Sequence, residues 1–166
     1  MSERRYMNIV KEINEVLALQ NSNEREDGLE RINDLFEYSQ DLKDVDIVEG
    51  VQLLLTAVLQ ERDARAKRQL FRIIDKAVAR YDIGNSIDWD VLATSLSSLE
   101  KRDLVYVLDI LGLSGQGKYL SVLTTYAHNF DSEIRAWALD AIEEATYRVA
   151  HASDIQKEQR GEREQV

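Results

Sequence analysis

Apolar residues recur every three or four positions from Ile9 to Val149. That interval is the period of one helix face, and it leaves little room for anything but an all-α chain. Ile9, Ile13, Val16 and Leu17 line a first helix; Leu29, Ile32, Leu35 and Phe36 line a second. Asp44 is placed to cap a third, carrying Val48, Val51, Leu54, Leu55 and Val58. Asp63 is placed to cap a fourth, with Ala66, Leu70, Ile73, Ile74 and Ala77. A loop follows at residues 81–86, marked by Gly84-Asn85-Ser86. A short helix is expected from Asp88 through Trp89, Leu92 and Leu96, and a sixth with Leu104, Val107, Leu108 and Leu111. The glycine-bearing run from Gly112 to Gly117 is expected to break the sixth helix. A seventh carries Leu120, Leu123 and Tyr126, and Asp131 caps an eighth with Ile134, Ala138, Leu139, Ala141, Ile142 and Val149. The chain has no proline and seven glycines, which suits helices joined by short turns better than a turn-rich sheet fold.

Eight helices on short connections predict four antiparallel pairs within one domain spanning residues 1–152. From residue 153 to 166 the sequence is polar and charged, and a disordered tail is expected. The pairs resemble one another. With Asp63 laid on Asp131, Ala66 falls on Ile134, Lys67 on Arg135, Leu70 on Ala138, Phe71 on Leu139, Ile74 on Ile142 and Ala77 on Ala145. Glu100 on the same frame brings Val107, Leu108, Ile110 and Leu111 onto apolar positions. The first pair fits this frame poorly, as terminal units of repeat arrays often do.

The segment 108–144 carries Leu111-Gly112, then Leu120 and Leu123, then Asp131, Ile134-Arg135, Ala138 and Ala141-Ile142. In that order it resembles a HEAT repeat of the phycobilisome-lyase type. Residues 44–80 resemble the same pattern less closely, and the proline common in the first helix of such repeats is missing. The resemblance implies a right-handed α-α superhelix of about four helical hairpins, with second helices lining a concave face. It also implies a binding role and names no partner.

The chain has no cysteine, which removes disulfides, thiolate metal sites and a cysteine nucleophile. No stretch reads as a signal peptide or membrane span, so a cytoplasmic protein without membrane contact is expected. A net charge of -10 disfavours free nucleic acid over the molecule as a whole and favours a basic protein partner.

No motif calls for catalysis, a cofactor, a metal or a small-molecule substrate. The run from Gly112 to Lys118 comes close to a phosphate-binding loop, but Tyr119 stands where a magnesium-binding Ser or Thr is needed. The segment before it is also periodic as a helix, so a glycine cap and turn is the better reading. His128 and His151 lack metal-ligand spacing and are expected at the surface or at helix ends. Trp89 and Trp137 occupy apolar helix positions and core packing is the better reading for both, with partial exposure open to Trp137 because it adjoins the polar face.

Charge is unevenly distributed. Residues 1–61 hold 14 acidic and 6 basic residues, residues 62–80 hold 2 and 7, and residues 81–166 hold 15 and 8. Arg65, Arg68, Arg72 and Lys76 form one basic stripe on the fourth helix. Glu30, Asp34, Glu37 and Asp41 form an acidic stripe on the second. These eight residues are the candidate partner-binding surface; the competing expectation is that the two stripes neutralise each other. The leading functional reading is a non-catalytic protein-binding module. It includes an inhibitor, similar in a general way to a bacterial immunity protein, that occludes a basic partner. The alternatives are nucleic-acid binding through the basic stripe and a scaffold or adaptor role.

Overall fold

The computed structural model describes residues 7–152 together with Asp154 and Gly161. Apart from those two positions, the tail expected from residue 153 onward lies outside the described residues. The described residues form eight α-helices, three short 3-10 turns and no strand. The chain divides into two compact units, Met1–Arg80 and Tyr81–Val166. No described helix is long and apolar enough to cross a membrane.

The first unit holds α1 (Ile9–Leu17), α2 (Ser22–Tyr38), α3 (Asp44–Gln60) and α4 (Ala64–Arg80). Side chains fix three of the four starts. Asn8 Oδ1 accepts from the Lys11 amide, Asn21 Oδ1 from the Asn23 and Glu24 amides, and Asp63 Oδ1 from the Ala66 amide at 2.8 Å. Asp44 does not cap α3. The cap position is Lys43, and Asp44 is the first residue of the helix, where a carboxylate meets the positive end of the helix dipole. Within the unit α1 packs on α3 and α2 packs on α4, so two hairpins stack with first helices in one layer and second helices in the other. The apolar stripes point inward: Ile9, Ile13, Ile32, Phe36, Ile47, Leu54, Leu70 and Ile74 are all buried.

The second unit holds α5 (Asp90–Ser95), α6 (Lys101–Leu113), α7 (Leu120–Tyr126) and α8 (Ser132–Ala150). The helix expected from Asp88 begins at Asp90, and Asp88 Oδ1 accepts from the Asp90 amide at 2.9 Å just ahead of it. Asp131 caps α8 as expected, accepting from the Glu133 and Ile134 amides. The principal packing is α8 against α6 and α7.

The expected helix break at Gly112 is displaced. Helix α6 runs through Gly112 to Leu113, and the left-handed turn residue is Gly115, at φ 65°. Gly112 serves close packing instead. A β-carbon there would lie 2.7 Å from the Ala141 carbonyl oxygen and 2.8 Å from the Ala141 Cα, so α6 and α8 cross backbone to backbone.

The phosphate-loop lookalike is part of the brace between the 84–90 loop and the segment after α6. Gln116 Nε2 donates to the carbonyls of Gly84 and Ile87 at 2.9 and 2.8 Å. Lys118 pairs with Asp90 at 2.9 Å, and the Tyr119 hydroxyl donates to Asp90 while accepting from the Trp89 amide. Trp89 is fully buried, and its indole N–H donates to the Gly84 carbonyl at 2.8 Å. Trp137, beside the polar face, is 38% exposed, because on α8 it lies to one side of the buried Ala138–Ala141–Ala145 stripe.

The repeat frame coincides with the helix starts. Asp63, Glu100 and Asp131 each sit immediately before α4, α6 and α8, and Asn21, which the frame did not include, holds the same place before α2. Residues seven positions on, Gly28, Leu70, Val107 and Ala138, are all buried. Residues eight positions on, Leu29, Phe71 and Leu108, are buried too, but Leu139 is 56% exposed.

Candidate functional site

The two charged stripes meet within the first unit. Packing of α2 beside α4 brings Glu30 to Arg72 in an ion pair and Glu37 to Lys76 at 2.5 Å. Arg65 pairs with Glu26 at 2.6 Å, and Gln69 donates to the Glu26 carbonyl and to Glu30. Three of these cross-helix contacts, 26 with 65, 30 with 69 and 37 with 76, share one sequence offset of 39 residues. A constant offset means that α2 and α4 run parallel and in register, which is what stacking one hairpin on the next produces.

The members of the stripes behave differently. Glu30, Glu37, Arg65, Arg72 and Lys76 are engaged in these pairs, and Arg68 is half-buried on α4. Asp34 is exposed on α2. Asp41 is not on the helix at all: α2 ends at Tyr38, and Asp41 lies exposed in the link to α3, so the acidic stripe is three residues long. Sequence reading missed Arg25, Glu26, Glu61 and Gln69. Glu26 stands one turn before Glu30 and Gln69 directly after Arg68, and the 39-residue register places them opposite Arg65 and Glu30; Arg25 and Glu61, 36 residues apart, fall outside that register.

A cleft of about 550 Å³ opens at the end of this unit where α2 and α4 begin, lined in part by Leu17, Leu19 and Leu29. On its wall Arg65 is matched to Glu26, and Asp63 accepts from the Ala66 amide. Arg25 pairs with Glu61 at 2.6 Å with both side chains largely enclosed, and Glu61 also accepts from the Asp63 amide. Glu61→Ala leaves the Arg25 guanidinium and that amide short of an acceptor, and is expected to cost about 1–3 kcal/mol. A urea melt reads this directly. Arg25→Met in the same background should recover part of the loss, because the stranded charge is then gone.

Several carboxylates are held below their ordinary values. A hydrogen bond from Lys76 lowers Glu37, hydrogen bonds from Lys118 and then Tyr119 lower Asp90, and Lys101 together with the Ile134 amide lowers Asp131. A depressed folded-state pKa stabilises the fold above the unfolded value and loses that effect as pH falls through the folded one. The stability contributed by these three groups is therefore expected to decline below about pH 4. The urea midpoint of Asp131→Asn should show a shallower acid dependence than that of the wild type.

Comparison of the chain with models of known protein families, with curated proteins and with solved structures found no significant match.

Proposed function

We propose that the chain is a HEAT-like, non-catalytic protein-binding module whose partner is a basic protein, bound by occlusion of part of that partner's surface. The observation that carries this reading is the pairing of the two stripes. The basic helix is the one part of the sequence suited to phosphate, and Arg65, Arg72 and Lys76 are matched to carboxylates of α2. The remainder of the chain is acidic on both sides of it, with a net charge of -10 overall. Such a field attracts a basic protein and accelerates its encounter with the chain. The parallel, in-register packing of α2 on α4 supports the repeat kinship.

An inhibitor acting in the manner of an immunity protein is one form of this function, and an adaptor is another; occlusion of the partner's activity separates them. Nucleic-acid binding is the competing reading, and it is tested by anisotropy titration of labelled duplex DNA and single-stranded RNA with the full chain at low salt. The account expects no saturable binding. Binding with a steep log-log salt slope, abolished by Arg65→Glu with Arg72→Glu, would move the function to nucleic acid.

A further inference from the structure

The cleft at the start of α2 and α4 is lined by the first unit alone, and one of its wall groups lacks a partner. Gln69 is 8% exposed, so its side-chain amide is nearly enclosed. Its Nε2 donates to the Glu26 carbonyl at 3.0 Å and to Glu30 at 3.1 Å. Those two acceptors fix which way the amide faces. Its Oε1 then has no donor among the described residues. A nearly buried amide oxygen without a donor is uncommon, and it costs stability unless solvent or a ligand supplies one.

Arg25 lines the same cleft. Its Nη1 is paired with Glu61, and its other N–H groups have no acceptor among the described residues. Glu61 is used at both oxygens, the second accepting from the Asp63 amide. The cleft therefore offers an open acceptor on Gln69 and open donors on Arg25. Leu17, Leu19 and Leu29 give it an apolar wall.

The charge of the lining is close to balanced. Arg25 and Arg65 stand against Glu26, Glu61 and Asp63, and the positive ends of α2 and α4 open on the same space. A polyanion meets three carboxylates there, and a polycation meets two guanidiniums and two helix starts. The ligand that fits has no net charge, an N–H for Gln69, a carbonyl for Arg25 and an aliphatic side chain for the leucines. One residue of a peptide supplies that set. A free aliphatic amino acid carries a full ammonium and a full carboxylate instead, and must shed water from both to enter. The chain's own ends fit poorly, because residues 1–6 hold 3 charged side chains and residues 153–166 hold 7.

We infer that this cleft binds a short uncharged peptide segment of the partner through one aliphatic residue. The inference rests on the protein-binding reading and deepens it by naming a site and what it recognises. The acidic field draws the basic partner in, and the cleft selects a segment of it by main-chain hydrogen bonds and one side chain. The segment's N–H donates to Gln69 Oε1, its carbonyl accepts from Arg25, and its side chain packs on Leu17, Leu19 and Leu29.

The test is backbone-amide NMR of the full chain titrated with the capped peptide acetyl-Ala-Leu-Ala-amide. The forms with a central Glu or Lys, and free L-leucine, are titrated beside it. The expected result is saturable shifts of the Leu17, Leu29, Ala66 and Gln69 amides, with a dissociation constant of about 0.1–1 mM. The charged peptides and leucine should bind about 10-fold more weakly. Gln69→Met should weaken the leucine peptide by about 10-fold. That variant also takes a donor from the Glu26 carbonyl, so Ala66→Phe is the second: it fills the cleft, removes no side-chain polar contact and should abolish binding. No saturable shift with the leucine peptide overturns the inference. So does binding that neither variant changes, or charged peptides or free leucine that bind as tightly. Shifts of the same amides on deletion of residues 2–6 or 153–166 assign the cleft to the chain's own end, and overturn it as well. Each of these results leaves the protein-binding function to its own test, capture of a basic protein from lysate of the native host. Peptide binding without such a capture keeps the cleft and overturns the basic partner.

Discussion

Gly112→Ala is expected to destabilise the second unit by about 3 kcal/mol, because overpacking a tight contact is costly. Over a unit of this size that corresponds to a fall in midpoint of roughly 12–24 °C. In an exposed helix interior the same change stabilises by about 1 kcal/mol, since alanine is the better helix former. The sign is reversed here because the new β-carbon meets backbone, the Ala141 carbonyl and Cα, and backbone cannot rotate aside. The α6–α8 contact must open, and it is the largest packing surface of the unit. Thermal melts of the full chain followed by circular dichroism read the shift. An unchanged or raised midpoint would mean that the two helices do not cross at this point.

Trp89→Ala is expected to cost about 3–5 kcal/mol, the usual range for deleting a large buried aromatic side chain. Two losses combine. Removing the fully buried indole leaves a cavity, and the Gly84 carbonyl loses one of its two donors, keeping Gln116 Nε2 at 2.9 Å. Trp89→Phe should fall between wild type and alanine, restoring volume without the hydrogen bond. Trp137→Ala is the control: at 38% exposure it should cost much less and leave unfolding cooperative. Urea melts of the three variants, followed by far-ultraviolet dichroism, separate these outcomes. Comparable losses from Trp89→Ala and Trp137→Ala would contradict the placement of the two rings.

The apolar period made the eight helices legible in the sequence, and two of the three aspartate caps read from it are present, Asp44 being instead the first residue of α3. Asp63 and Asp131 stand immediately before their helices with a carboxylate within reach of the first-turn amides. Glycine was read less well. Gly112 follows Leu111 as a helix-ending glycine would, and only the position of Ala141 on another helix shows that it is there for close approach. The carrying role of Gly115 is visible in its backbone angle alone. The boundary between the two compact units falls at the loop read at 81–86, but Gly84-Asn85-Ser86 marks a turn between helices equally well, so the sequence does not distinguish the two.

The candidate site was half legible. Two stripes of opposite sign at helical spacing were evident, but helix periodicity says nothing about which helix faces which. The register of 39 residues supplied that, and with it the pairing of Glu26 with Arg65 and Glu37 with Lys76, while Arg72 reaches Glu30 from one turn further along α4. Asp41 was assigned to the stripe by extending the helix period past Tyr38, where the chain leaves the helix at Ser39 with extended backbone angles. The exposure of Leu139 on α8 was invisible for the opposite reason. It matches a buried position of the other second helices, so nothing in its type distinguishes Leu139 from Phe71.

The function proposed for the chain depends on a long-range attraction between an acidic protein and a basic one. The most direct measurement is the stopped-flow association rate of the full-length chain with the basic protein it captures, taken across a range of salt. Screening shortens the reach of the field from about 30 Å at 0.01 M ionic strength to about 8 Å at 0.15 M. The association rate is expected to fall by about 10-fold or more between those conditions, with a dissociation rate that changes little. An association rate that stays flat across that range would contradict it.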